Sequence, residues 1–113
     1  MVHVLYSRLV DGAEEAYERT HRRVPRELAE SLRRCGIRDW SIHRVGGHLI
    51  HLIDCDDLPA AFAALAGDPA NERWQQVIGG YVAAFEPADA EGMPLAVPAL
   101  WRLSDQSPAS DAP

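Results

Sequence analysis

Two adjacent glycines, Gly46 and Gly47, separate the runs Ile37–Val45 (IRDWSIHRV) and His48–Cys55 (HLIHLIDC). Both runs are rich in β-branched, aromatic and apolar residues, and a glycine pair adopts the positive-φ backbone of a tight turn without steric penalty. The stretch therefore reads as an antiparallel β-hairpin, and the remaining elements must be arranged around a sheet. Val2–Leu9 (VHVLYSRL) supplies another strand, ended by the turn signal Asp11-Gly12. Ala13–Cys35 is helical by pattern, because Ala16, Thr20, Val24, Leu28 and Leu32 recur at helical spacing with Arg and Glu between them, and Gly36 closes it. Pro25 lacks an N–H and deprives the His21 carbonyl of its usual donor, so a kink or break is expected between His21 and Pro25.

Asp57–Ala66 reads as a short Ala-rich helix. Asp68-Pro69 then opens another, with Asp as N-cap and Pro in the first turn. That helix is expected to run through ANERWQQVIGGYVAAF, loosened at Gly79-Gly80. Val97–Leu103 (VPALWRL) reads as the final strand, placed at an edge by Pro98. The resulting order, β–α–β–β–α–β, is that of an α+β, ferredoxin-like antiparallel sheet with helices on one face. The opposite face carries Val, Leu, Ile and Trp and needs cover. Two sheets packed face to face supply it, so a homodimer, a dimeric α/β barrel, is expected. Residues 1–103 make up this domain, and Ser104–Pro113 (SDQSPASDAP), with no apolar periodicity and two prolines, is expected to be a flexible tail.

At 113 residues the chain has room for one domain, and with 47% hydrophobic and 25% charged residues its composition is that of an ordinary globular protein. A net charge of −6 argues against a nucleic-acid partner. The one basic cluster, Arg19, Arg22, Arg23 and Arg26, is interrupted by Glu18 and Glu27 and reads as a solvated helix face. No apolar run approaches the ~20 residues of a membrane span. Cys35 and Cys55 lie twenty residues apart with no CxxC pair and no secretory leader pattern before them, so reduced thiols in a cytoplasmic protein are expected.

Chemistry-bearing motifs are few. His3, His21, His43, His48 and His51 show no ligand-cluster spacing, and His48 and His51 fall on opposite faces of their strand, so no metal site is expected. GxSxG and phosphate-cradling loops are missing, and all eleven Lys-plus-Arg residues are Arg, which excludes Schiff-base chemistry. Tyr17 and His21 stand out, because at i and i+4 they share one helix face next to the Pro25 irregularity. They read either as core residues or as a proton-transfer histidine beside a phenol. Trp40, Trp74 and Trp101 read either as core filler or, with Tyr17, as walls of a sugar pocket, since apolar ring faces with a few N–H and O–H groups suit a sugar.

The stretch Ala13–Leu28 (AEEAYERTHRRVPREL), with its Tyr-x-x-x-His pair and the following Pro-Arg-Glu-Leu, resembles the L-rhamnose mutarotase family. The likeness continues through Leu32–Ile42 (LRRCGIRDWSI), the His48–Asp54 strand, Glu72-Arg73-Trp74 and the aromatic-bearing Val97–Leu103, and spans roughly residues 2–103. It implies a dimeric ferredoxin-like barrel that interconverts α and β anomers of L-rhamnose or a related 6-deoxy sugar without a cofactor. His21 then falls on the proton donor, Tyr17 and Trp40 on sugar-contacting aromatics, and Trp74 and Gln75 on a pair of tryptophans. Three departures bear on the choice of sugar: Trp40 stands for a Tyr, Gln75 for the second Trp, and Pro25 comes one position early. Rival readings are an L-fucose mutarotase, a cofactor-independent monooxygenase on the same barrel, and a non-catalytic dimeric binding protein.

Overall fold

In the computed structural model, which describes residues 1–108, the glycine pair makes the expected hairpin. Strand β2 (Asp39–Val45) pairs antiparallel with β3 (His48–Asp54) from Asp39↔Asp54 to Val45↔His48, and Gly46 takes φ 58° in the turn. Strand β1 (Val2–Leu9) pairs antiparallel with the other edge of β3, from Val2↔Asp54 to Arg8↔His48. A short β4 (Val82–Phe85) pairs with the end of β1, completing an antiparallel sheet of order β2-β3-β1-β4.

Among the described residues there are four α-helices: α1 (Glu14–His21), α2 (Arg26–Arg34), α3 (Leu58–Ala66) and α4 (Pro69–Ile78). The α+β, ferredoxin-like reading holds, with the expected first helical region divided in two. Between α1 and α2 the division is the expected break at Pro25, whose ψ of 139° is extended. Proline also pushes the preceding residue out of the helical region, so α1 cannot run on through Val24. Asp57 and Asp68 cap α3 and α4 by accepting from the backbone N–H of Ala60 and Asn71 at 3.0 and 3.1 Å.

Period-two alternation sorts the sheet residues. Leu5, Ser7 and Leu9 of β1 and Leu49, His51 and Ile53 of β3 are all buried, on the face that also carries Trp40 and Ile42. One core cluster joins Leu5, Ile37, Ile53 and Cys55 to Leu58, Ala61 and Leu65 of α3, with Trp40 and Phe62 against it. A second joins Leu9 and Leu49 to Tyr17 of α1. The helices thus cover one side of the sheet, and the seam between α1 and the β2–β3 hairpin is where the site lies.

Two expectations about the chain's end are corrected. YVAAF does not continue the last helix: α4 stops at Ile78, and the segment turns back as β4. The chain leaves the helix at two successive glycines, weak helix formers: Gly79 still has helical φ −59° and ψ −29° and donates to Gln75 O at 2.8 Å, and Tyr81 N–H then donates to Ile78 O at 2.9 Å as the chain turns back. Val97–Leu103 is not the fourth strand. Val97 N–H donates to Val4 O at 2.7 Å on the edge of β1, but residues 97–102 form no strand. Leu103–Asp105 forms a 3₁₀ turn, so the expected domain boundary at 103/104 falls inside it, and residues 109–113 of the expected tail lie outside the described residues.

Candidate active site

Helix α1 presents Tyr17, Glu18, His21 and Arg22 along one side of a cavity of about 360 Å³. Ile42 and Arg44 of β2 and Leu49 of β3 form the other side. That volume lies in the ~300–1,000 Å³ range usual for small-molecule sites. The i, i+1, i+4, i+5 spacing puts the four α1 residues on one face, and the alternation of β2 brings Ile42 and Arg44 to the same side of the strand. A second hollow of about 370 Å³ is lined by Ala99, Leu100, Trp101, Arg102, Asp105 and Gln106. It is formed by one exposed stretch of chain, its Arg102 and Asp105 pair with each other at 3.7 Å, and it holds no proton-transfer histidine. The candidate site is therefore the α1 cavity.

Tyr17 and His21 do meet. Their rings stack at a centroid distance of 4.0 Å, 28° from parallel. His21 and Trp74 of α4 meet edge to face, at a centroid distance of 5.0 Å and 80°. His21 Nδ1 lies 2.9 Å from the Tyr17 carbonyl oxygen, one turn back. A carbonyl only accepts, so Nδ1 carries a proton, and Nε2 is the nitrogen through which a neutral ring exchanges one. Partial burial holds the His21 pKa below the usual imidazole value, against the opposing pull of that carbonyl bond. Burial pushes the Tyr17 phenol up to about 12, so Tyr17 stays an O–H donor at neutral pH.

The other expected aromatics lie elsewhere. Trp40 packs on the first core cluster, near Phe62, and does not line the cavity. Its indole Nε1–H donates to His51 Nδ1 at 3.2 Å. His51 Nε2 lies 3.0 Å from Ser7 Oγ, and both residues are buried. Since the indole can only donate, Nδ1 must accept, and neutral His51 then carries its proton on Nε2 toward Ser7. Burial, with the nearby His21 adding to it, lowers the His51 pKa to about 4. Gln75 is exposed on α4, its side-chain amide 3.5 Å from Asn71 Oδ1. Trp101 is 65% exposed and donates to Gln106 Oε1, away from the cavity, so the expectation that it lies on a final strand is corrected with that strand.

Sequence reading missed Glu18, Arg22, Arg44 and His51. Glu18 and Arg22 follow Tyr17 and His21 by one residue each, so helical spacing places them on the same side. Arg44 Nε donates to Glu18 Oε1 at 2.6 Å and its Nη1 to Gly46 O at 2.8 Å, tying the hairpin turn to α1 across the cavity rim. Among the described residues no group of three or more His, Cys, Asp or Glu converges as a metal site would.

Residues 3–103 match the L-rhamnose mutarotase family over nearly the whole described chain. The chain belongs to that family. It is 33% identical over 85 residues to the L-rhamnose mutarotase of Opitutus terrae, which covers 71% of this chain and 81% of that protein. Among solved structures it resembles the L-rhamnose mutarotase of Formosa agariphila, with a TM-score of 0.63, 17% identity, and 88% of this chain and 92% of that one covered. A putative antibiotic biosynthesis monooxygenase of Nitrosomonas europaea follows, with a TM-score of 0.57, 13% identity and coverage of 88% and 89%. At such low identities the structural likenesses speak to the fold, while the family match carries the activity. The chain is a carbohydrate isomerase, a sugar mutarotase by family. No helix among the described residues is long and apolar enough to cross a membrane.

Proposed function

We propose that this family member, a cytoplasmic homodimer, interconverts the α and β pyranose anomers of L-rhamnose or a close 6-deoxy relative in the α1 cavity, with His21 as its proton-transfer residue. The observation that carries this reading is the His21 ring. It lines a cavity, it is clamped between Tyr17 and Trp74, and its tautomer is set by the Tyr17 carbonyl, so Nε2 is left to move a proton.

Mutarotation needs only that one proton leave the anomeric hydroxyl while another reaches the ring oxygen. The C1–O5 bond opens to the aldehyde, rotation about C1–C2 exposes the other face, and the ring closes again. A positioned acid or base supplies a factor of about 10²–10⁴ for such a step. His21 serves the ring oxygen through Nε2. Tyr17, held as a neutral phenol, orients the sugar, and Trp74 fixes the imidazole plane from behind. The resemblance also puts sugar contacts at Trp40 and Gln75, and neither borders the cavity of this chain.

Dimerisation is supported by the side of the sheet away from the helices, where Val4, Tyr6, Ile50 and Leu52, each only partly buried, alternate with the buried positions. Saturation-transfer NMR on L-rhamnose tests the activity. Exchange between anomers should exceed the buffer rate with the wild-type protein and fall to near that rate with His21→Ala. Equal rates for the two proteins would remove His21 from the reaction.

A further inference from the structure

A mutarotase must handle two protons, one at the anomeric oxygen and one at the ring oxygen, and His21 accounts for one of them. Five ionisable side chains line the cavity: Tyr17, Glu18, His21 and Arg22 from α1, and Arg44 from β2. Arg22 and Arg44 are guanidinium groups, which keep their protons. Tyr17 is held as a phenol by its burial. Only a carboxylate and an imidazole remain as groups able to take up a proton there at neutral pH. They belong to Glu18 and His21, three residues apart on one helix face, which is neighbouring spacing.

Glu18 is also oriented. Arg44 Nε donates to its Oε1 at 2.6 Å, and Arg44 is itself anchored on the Gly46 carbonyl. A carboxylate has two oxygens, so this bond fixes the plane of the group while Oε2 stays available to accept. The pair is half-exposed at the cavity rim, where its contribution to stability is small. Its use is better found in the reaction than in the fold.

We propose that Glu18 is the second proton-transfer residue of this site, accepting the proton of the anomeric hydroxyl while His21 donates to the ring oxygen. The proposal rests on the mutarotase reading above and adds the residue which that reading lacks. In the opening step the O1–H bond breaks and its proton passes to Glu18 Oε2. The electron pair left on O1 forms the C1=O1 bond, and the C1–O5 pair moves to O5, which takes a proton from Nε2 of the His21 imidazolium and leaves that ring neutral with its remaining proton on Nδ1. Ring closure reverses each transfer and restores both groups, so no co-reactant is consumed. Because one group must be ionised as a base and the other protonated, the rate should fall on both sides of a pH optimum.

The experiment is saturation-transfer NMR of L-rhamnose anomer exchange across pH, on wild type, Glu18→Gln, Glu18→Asp and His21→Ala. Gln keeps the size of the side chain and an oxygen for Arg44 but cannot act as a base at neutral pH. Glu18→Gln should lower kcat by about 10²-fold with KM within a few-fold, and the acid limb of the pH profile should vanish. Glu18→Asp should recover part of the rate and restore that limb. Wild-type kcat in Glu18→Gln, or a loss confined to KM with the acid limb intact, overturns the proposal and leaves Glu18 as a hydroxyl acceptor only. If wild type shows no exchange, it is the mutarotase reading itself that fails. If wild type is active and only His21→Ala is slow, the reading stands and the role of Glu18 falls.

Discussion

His21 and His51 stand on the same helix-covered side of the sheet, each against a tryptophan and each bonded through ring nitrogens, yet their surroundings differ in what they leave free. His51 spends Nδ1 on the Trp40 indole and Nε2 on Ser7, inside the core and with 3% of its surface exposed. Among the described residues His21 spends only Nδ1, on a backbone carbonyl, and its ring lines a cavity. The first arrangement fixes a neutral tautomer and ends there. The second fixes a tautomer in order to leave a lone pair. What separates a structural from a reactive imidazole here is an unspent nitrogen facing open space, since both are buried enough to have lowered pKa values.

Exchanging the loss between these two sites is the strongest way to break the comparison. His21→Ala should reduce anomer exchange by about 10²–10⁴-fold while leaving the denaturant midpoint close to wild type. His51→Leu should do the reverse. It leaves the Trp40 N–H and the Ser7 hydroxyl buried without partners, at a cost of about 1–3 kcal/mol for each group, read as a lower urea midpoint. Should His51→Leu abolish exchange at full stability, the division of roles drawn here is wrong.

Acid sharpens the same contrast. The folded-state pKa of His51 is about 4 against 6.5 for an ordinary imidazole, so the unfolded chain binds the proton more readily. Stability from this residue is complete above pH 6.5 and is lost as the pH falls toward 4, at up to about 1.4 kcal/mol per pH unit and roughly 3 kcal/mol in all. His21, also lowered, adds to the loss just below pH 6.5. Protonation of His51 would set its N–H against the Trp40 N–H, which gives the geometric form of the same penalty. Urea midpoints between pH 7 and pH 4.5 should fall steeply for wild type and less steeply for His51→Gln, whose amide can accept from Trp40 and donate to Ser7 without titrating. Parallel curves would mean that His51 is not the group responsible.

Much of this was legible in the sequence, for reasons that can be named. The hairpin was, because Gly46-Gly47 between two strand-like runs tolerates the positive-φ turn that joins them. The break after His21 was, because Pro25 forbids the helix. The Tyr17–His21 contact followed from i, i+4 spacing alone. The fourth strand was missed because VAAF is as compatible with a helix as with a strand, and the Gly79-Gly80 pair before it reads equally as a loosened helix or as the turn it makes. Val97–Leu103 reads as a strand by composition, yet β4 takes the fourth place in the sheet and this stretch reaches β1 through the Val97 N–H. Trp40 shows a different limit. Its place on β2 was foreseen, but the partner of its N–H depends on the β2–β3 register, which sets Ile42 opposite His51 and Trp40 opposite Ile53. Glu18 and Arg44 met for the same reason: they lie 26 residues apart, and the contact exists only once α1 is laid over the hairpin.

The smallest expected effect lies at Gln75, beside the tryptophan that contacts His21. The family resemblance puts a sugar contact at this position, whereas the structure leaves the side chain exposed and tied only to Asn71 of its own helix, at 3.5 Å. Losing an exposed side chain of this kind changes energies by no more than about 0.5 kcal/mol, which corresponds to a factor of about two in KM. Gln75→Ala should therefore give a KM for L-rhamnose within that factor of wild type and an unchanged kcat. A rise well beyond it would mean that α4 moves toward the cavity when sugar binds, and that Trp74, in edge-to-face contact with His21, is part of a closing wall. The comparison would then need a third member, because a reactive imidazole would be distinguished by a mobile neighbour as well as by its free nitrogen.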